Sequence, residues 1–161
     1  MGLQIVPFGH EHREQVGELI ISIQREEFAI PITLEEQPDL FDVDNFYRHG
    51  RGDFFVAIHD GSVVGTIALK DIGANQGALR KMFVHRDYRG AEKGVAVRLL
   101  NHLLHEARQR GFKHIYLGTT DAFKAAHRFY EKNGFTEIFE RDLPAMFPRM
   151  KQDTKFYRIA L

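Results

Sequence analysis

Ala78-Leu79-Arg80-Lys81-Met82-Phe83-Val84-His85-Arg86-Asp87-Tyr88-Arg89-Gly90, followed by Lys93-Gly94-Val95-Ala96, decides how this chain folds. Ala78 to Val84 has the composition of a strand, and Arg86 to Gly90 that of a turn. From Gly94 to Arg110 the residues Ala96, Leu99, Leu100, Leu103, Leu104 and Ala107 fall at helical spacing until Gly111 stops the pattern. A strand that passes through a glycine-bearing turn into a helix gathers unpaired backbone N–H groups and the positive helix end at one place. A diphosphate needs that combination. Gly90 lacks the Gly-Lys-Ser/Thr of a P-loop at the required distance, and Gly-x-Gly-x-x-Gly is absent, so nucleoside triphosphate and dinucleotide readings weaken.

Upstream, Phe54 to Ile58 and Val63 to Leu69 are β-rich runs joined by His59-Asp60-Gly61-Ser62, a local hairpin signal. Before them, Leu3 and Ile5 suggest a short first strand. Val16, Leu19, Ile20 and Ile23 predict a helix from about His10 to Phe28, and Leu40 to His49 a shorter one. Downstream, His114 to Gly118 reads as a strand. A helix capped by Thr120 or Asp121 should run to Asn133 and stop at Gly134, and Phe135–Phe139 and Phe156–Leu161 should be two last strands. The link from Glu140 to Lys155, with two prolines and two methionines, is long for a connector and favours a binding role. The element order implies a single α/β domain over residues 1–161 with a mixed sheet flanked by helices on both faces.

With 161 residues one domain and one site are expected. Lys plus Arg equals Asp plus Glu at 22 each, so no overall field draws nucleic acid or an anionic membrane. Without cysteine there is no disulfide, thiolate metal site or Cys nucleophile. The N-terminus lacks a secretory pattern and no apolar run approaches the ~20 residues of a membrane span, so a cytoplasmic protein is expected. Histidine pairs such as His10/His12 and His102/His105 have no third ligand close in sequence, so no metal is expected.

Lys81 to Gly90 with Gly94-Val95-Ala96 resembles the central cofactor motif of the GNAT acetyltransferases. Ala126-His127-Arg128-Phe129-Tyr130-Glu131-Lys132-Asn133-Gly134-Phe135 is similar to the family's next motif. The two together, in this order, are far more specific than either alone, and the likeness covers about Phe54 to Phe139. Two departures stand out. The family's Arg/Gln-x-x-Gly-x-Gly/Ala turn is expanded here, with Ala91 between Arg89 and Gly94, and Phe123 stands where the family often has asparagine.

The resemblance implies a mostly antiparallel GNAT-like sheet and acetyl-CoA as acyl donor. Its thioester would lie between the Ala78–Val84 and Ile115–Leu117 strands. Cofactor contacts are then expected from Met82, Phe83, Val84, Arg89, Gly90, Lys93, Gly94, Val95, Ala96, Ala126 and Phe129. A backbone N–H near Met82 or Phe83 would face the thioester oxygen. Tyr130 would be the general acid for the leaving thiolate, and Glu27 the candidate base, with Glu26 and His85 as other carriers of that role. Acceptor contacts are expected from Glu26, Phe28, Phe147 and Arg149. The acceptor would be a small-molecule or peptide amine; acids at Glu35, Glu36, Asp39, Asp42 and Asp44 would favour a cationic one if they faced the cleft, whereas Arg149 and Lys151 could recognise a carboxylate. The alternative is a silent acetyl-CoA-binding sensor acting through a protein partner. Edge strands also permit a homodimer.

Overall fold

A computed structural model describes residues 2–90 and 92–161; Ala91, part of the expanded turn, lies outside them. Seven strands form one sheet: β1 (Gln4–Pro7), β2 (Asp53–His59), β3 (Ser62–Asp71), β4 (Gln76–Val84), β5 (His114–Thr119), β6 (Thr136–Ile138) and β7 (Lys155–Ala160). Their order across the sheet is β1-β2-β3-β4-β5-β7-β6. Only β4 and β5 run parallel. The mostly antiparallel mixed sheet matches the expectation, and the β2–β3 hairpin forms where the sequence placed it. Asp60 (φ 49°) and Gly61 (φ 78°) both take the left-handed turn conformation that matches the twist of paired strands.

The helices are α1 (Arg13–Ser22), α2 (Val43–Phe46), α3 (Val95–Gln109) and α4 (Lys124–Lys132). Two apolar cores result. In one, Leu99, Leu100 and Leu103 of α3, each fully buried, pack on Phe55, Ile67, Leu69 and Ile115, and Tyr130 of α4 joins them. Burying one such leucine contributes about 1.5–3 kcal/mol. In the other, Val16, Leu19 and Ile20 of α1 and Val43 of α2 cover Phe54, Val56 and Ala68. Alternation along β2 sends Phe54 and Phe55 to different cores, so the sheet carries helices on both faces.

Some elements differ from the sequence-based expectation. The first helix continues past Ser22 as a wide π turn, Ile23–Glu27. The expected Leu40–His49 helix is reduced to a 3-10 turn at Pro38–Leu40 and the single turn of α2, which Asp42 caps by accepting from the Asn45 N–H. The N-cap of α4 is Phe123, whose side chain cannot cap; Thr120 instead accepts the His127 imidazole through its carbonyl oxygen at 2.7 Å. Among the described residues, no helix is long and apolar enough to cross a membrane.

Two irregularities shape β4. Opposite β3 its register slips between Thr66 and Ala68, and Lys81 sits at φ 53°, a conformation costly for a residue with a Cβ. The Thr66 hydroxyl donates to the Lys81 carbonyl at 2.6 Å, which pins the bulge. On its other side β4 pairs with β5 only at Gln76, Gly77 and Ala78. Beyond Ala78 the two strands part.

Candidate active site

The parting of β4 and β5 opens a cleft. Leu79 to Phe83 line one wall, Leu117 to Thr120 the other, and Ala126 and Tyr130 of α4 close one side. Phe28, after α1, and Phe147, Pro148 and Met150 of the Glu140–Lys155 link complete it. Because β5 spends its other edge on β7, while β4 has no strand partner on this side past Ala78, the β4 backbone from Leu79 onward is an unpaired edge. Such an edge offers regularly spaced donors and acceptors to an extended amide-bearing chain.

Past Val84, the turn leads to the start of α3. Gly94 is its N-cap at φ 70°, a conformation that glycine adopts without steric cost. The Lys93 and Gly94 N–H groups both donate back to the Gly90 carbonyl, at 3.1 and 3.2 Å. The first regular bond of the helix is Arg98 N–H to Gly94 O at 3.1 Å, so the N–H groups of Val95, Ala96 and Val97 precede it and have no acceptor among the described residues. No side chain caps this end, and no acidic residue stands in its first turn. Among the described residues nothing occupies the positive helix end at Val95 and Ala96, whereas the Lys93 and Gly94 N–H groups are already bonded to Gly90.

Arg89, in the same turn, has its Nε on the Val84 carbonyl at 2.8 Å and its two terminal nitrogens on the Glu27 carboxylate. Hydrogen bonding to Arg89 is the largest influence on Glu27 and holds its carboxyl below the usual range, with the guanidinium charge adding to it and burial opposing it. Glu27 is thus bound to the turn and is not among the cleft-lining side chains. Glu26 accepts the Ser22 hydroxyl at 2.9 Å and is also outside the lining.

Tyr130 is 6 % exposed and packs on Phe129, Phe135 and Tyr157. Among the described residues its hydroxyl has no hydrogen-bond partner, yet no buried side-chain polar atom is left unsatisfied, so the hydroxyl reaches the open cleft. Burial raises the phenol pKa well above its ordinary value, which keeps the proton in place at neutral pH. The group can donate a proton.

Of the other expected site residues, Met82, Phe83, Phe28, Phe147 and Ala126 meet in the cleft, while Phe129 packs behind it. Arg149 lies outside the lining, pairs with Glu140 and sits 5.9 Å from the Phe156 ring. Among the described residues none of Glu35, Glu36, Asp39, Asp42 and Asp44 lines the cleft. Phe123 packs against Phe28 with ring centroids 4.2 Å apart and planes tilted by 51°, and both residues line the cleft.

Sequence reasoning missed Arg80, Lys81, Gln24 and Asp153 in the lining. Lys81 is 6 % exposed in its side chain; it donates to Gln37 Oε1 at 2.6 Å and stands 3.6 Å from Asp39, which also accepts the Tyr47 hydroxyl. Burial brings its pKa down to about 8, against the opposing pull of Asp39. Asp153 accepts the Met150 N–H at 2.9 Å and has its pKa raised by burial. Arg80 and Lys81 lie at the β4 bulge, which no spacing rule announces, and Gln24 and Asp153 come to the cleft from distant segments.

A profile for the Acetyltransferase (GNAT) family matches residues 18–135. The chain belongs to the GNAT acetyltransferase family. This GNAT chain is similar to an acetyltransferase of the same family from Staphylococcus aureus Mu50, at 37% identity over 99% of each chain with a TM-score of 0.94. It is also similar to an acetyltransferase from Streptococcus agalactiae 2603, at 31% identity and a TM-score of 0.95, over 100% of this chain and 99% of the other. Among curated relatives it is 33% identical over 126 residues to N-acetylaspartate synthetase from Danio rerio, covering 75% of this GNAT chain and 44% of that protein. The chain thus spans less than half the length of that relative.

Proposed function

We propose that the protein is an acetyl-CoA-dependent N-acetyltransferase that moves the acetyl group to a primary amine by direct attack in a ternary complex. One observation carries this: the unpaired β4 edge joins the open N-terminus of α3 at one end and the exposed hydroxyl of a buried tyrosine along its wall. Family membership and the naming of curated relatives as N-acetyltransferases support it. Acetyl-CoA supplies the activated acyl group as substrate. In this proposal Val95 and Ala96 hold the diphosphate through their N–H groups, with Arg89 beside them. Backbone of Met82 to Val84 pairs with the pantetheine amides. A Met82 or Phe83 N–H donates to the thioester oxygen as negative charge develops on it.

The neutral amine attacks the thioester carbon, the C–N bond forms, and the C–S bond breaks. The Tyr130 hydroxyl gives its proton to the departing sulfur, while the proton lost by the amine passes to a base or to water. The chain has no cysteine for a cysteinyl acyl-enzyme, which supports direct transfer with both substrates bound together. We place the reaction in the cytoplasm. A thiol-release assay with acetyl-CoA over a panel of amines tests the proposal, with initial-rate lines that intersect as the expected pattern. Tight coenzyme A binding without release on any amine would overturn it.

A further inference from the structure

Arg80 differs from the other arginines whose side-chain partners anchor the fold. Arg48, Arg51, Arg89, Arg110 and Arg149 each meet a carboxylate. Arg80 lines the cleft, and among the described residues no carboxylate lies within 4.0 Å of it. Its contacts are the Met150 thioether at 3.3 Å, a weak acceptor, and the Phe46 ring, 5.8 Å from its Cζ. A guanidinium presents a planar fork of donors that matches a carboxylate in two-pronged geometry, and here that fork is unspent.

The surrounding charge points the same way. Lys81, the other cation of the lining, is engaged with Gln37 and Asp39, and Lys70 donates to the Phe46 carbonyl at 3.2 Å. Lys81 thus takes up Asp39, and the acid within the lining, Asp153, holds its own loop through the Met150 N–H. The five acids between Glu35 and Asp44 that would have favoured a cationic acceptor do not line the cleft. Arg80 stands two residues before Met82 on β4, with the Lys81 bulge between them, and both line the cleft.

We propose that Arg80 reads a carboxylate of the acceptor, so that the amine substrate is an amino acid and not a polyamine or an aminoglycoside. This rests on the N-acetyltransferase function proposed above. Arg80, the lining cation without a carboxylate partner among the described residues, fixes the acceptor's orientation.

The test compares amino acids with their own amides, which differ only at the carboxylate, as acceptors for the wild type, Arg80→Gln and Arg80→Lys. The wild type should use the best amino acid at least tenfold better in kcat/KM than its amide. Arg80→Gln should erase that ratio mainly through KM for the acid, with KM for acetyl-CoA within twofold, and Arg80→Lys should restore part of it. Equal use of acid and amide by the wild type, or a ratio that survives in Arg80→Gln, would overturn the proposal. If no amine releases thiol, the transferase reading fails by itself. Carboxylate recognition is then read from the thermal shift that amino acids induce in the coenzyme A-bound protein: a shift lost in Arg80→Gln sustains it, and no difference between the variants refutes it.

Discussion

Arg89 and Glu27, 62 residues apart in sequence, form a two-pronged ion pair that ties the end of the first helix to the turn before α3. The guanidinium proposed to meet a diphosphate therefore has a carboxylate partner in the unliganded fold, and the two anions compete for it. Glu27→Gln should tighten coenzyme A binding severalfold by freeing Arg89, whereas Arg89→Gln should weaken it about tenfold or more, the range expected for losing a charge-assisted hydrogen bond. Isothermal titration of both variants measures this. If Glu27 is instead the base, Glu27→Gln lowers kcat with the affinity unchanged.

Tyr130→Phe removes a hydroxyl that has no hydrogen-bond partner among the described residues, so the fold should lose under about 1 kcal/mol. The turnover number should nevertheless fall about a hundredfold, the lower range for a general acid, with coenzyme A affinity within twofold. Steady-state kinetics beside a urea melt separates the two effects. Equal turnover in the variant would remove Tyr130 from the chemistry.

Lys81 gives a pH signature. Its folded pKa, about 8, lies below the ordinary lysine value, so between about pH 8 and 10.5 the unfolded chain binds more protons than the folded one. Stability attributable to this group therefore rises with pH across that window and is lost as pH falls through 8. Lysine-specific NMR should find one ammonium titrating near pH 8. The pH slope of the unfolding free energy in that window should be more positive in the wild type than in Lys81→Met.

Gly118 has the Asp153 carboxyl where a side chain would start: a Cβ there would stand 2.5 Å from Asp153 Oδ2 and 2.7 Å from its Cγ. Gly118→Ala should displace Asp153, release the Met150 N–H it holds, and cost about 1–3 kcal/mol. Because that turn brings Phe147 and Met150 to the cleft, KM for the acceptor should rise more than KM for acetyl-CoA. Calorimetry and kinetics on one preparation check both.

The local signals were legible. The Asp60-Gly61 turn fixed a hairpin, the leucine stripe fixed α3, and Gly94 marked its start, because each depends on a few adjacent residues. Tyr130 and the Met82–Val84 edge were placed through the family resemblance. What could not be read depends on distant partners. Asp39 looked like one acid in a solvated acidic run, yet it is 3 % exposed because Lys81 and Tyr47 reach it from elsewhere in the chain. Arg80 looked like an ordinary polar strand residue, and its place in the cleft lining follows from where β5 leaves β4. The Glu27–Arg89 pair is likewise non-local, and no periodicity contains it.

The three residue pairs at Gln76, Gly77 and Ala78 have one more consequence. All strands before them in sequence lie on one side of this narrow seam, and all strands after it on the other, with the chain crossing once through α3. The molecule is thus a book whose two covers are consecutive pieces of sequence bound by a short spine. Divided between α3 and β5, such a protein has the layout of a two-fragment reporter, whose reassembly a molecule lodged between the covers would promote.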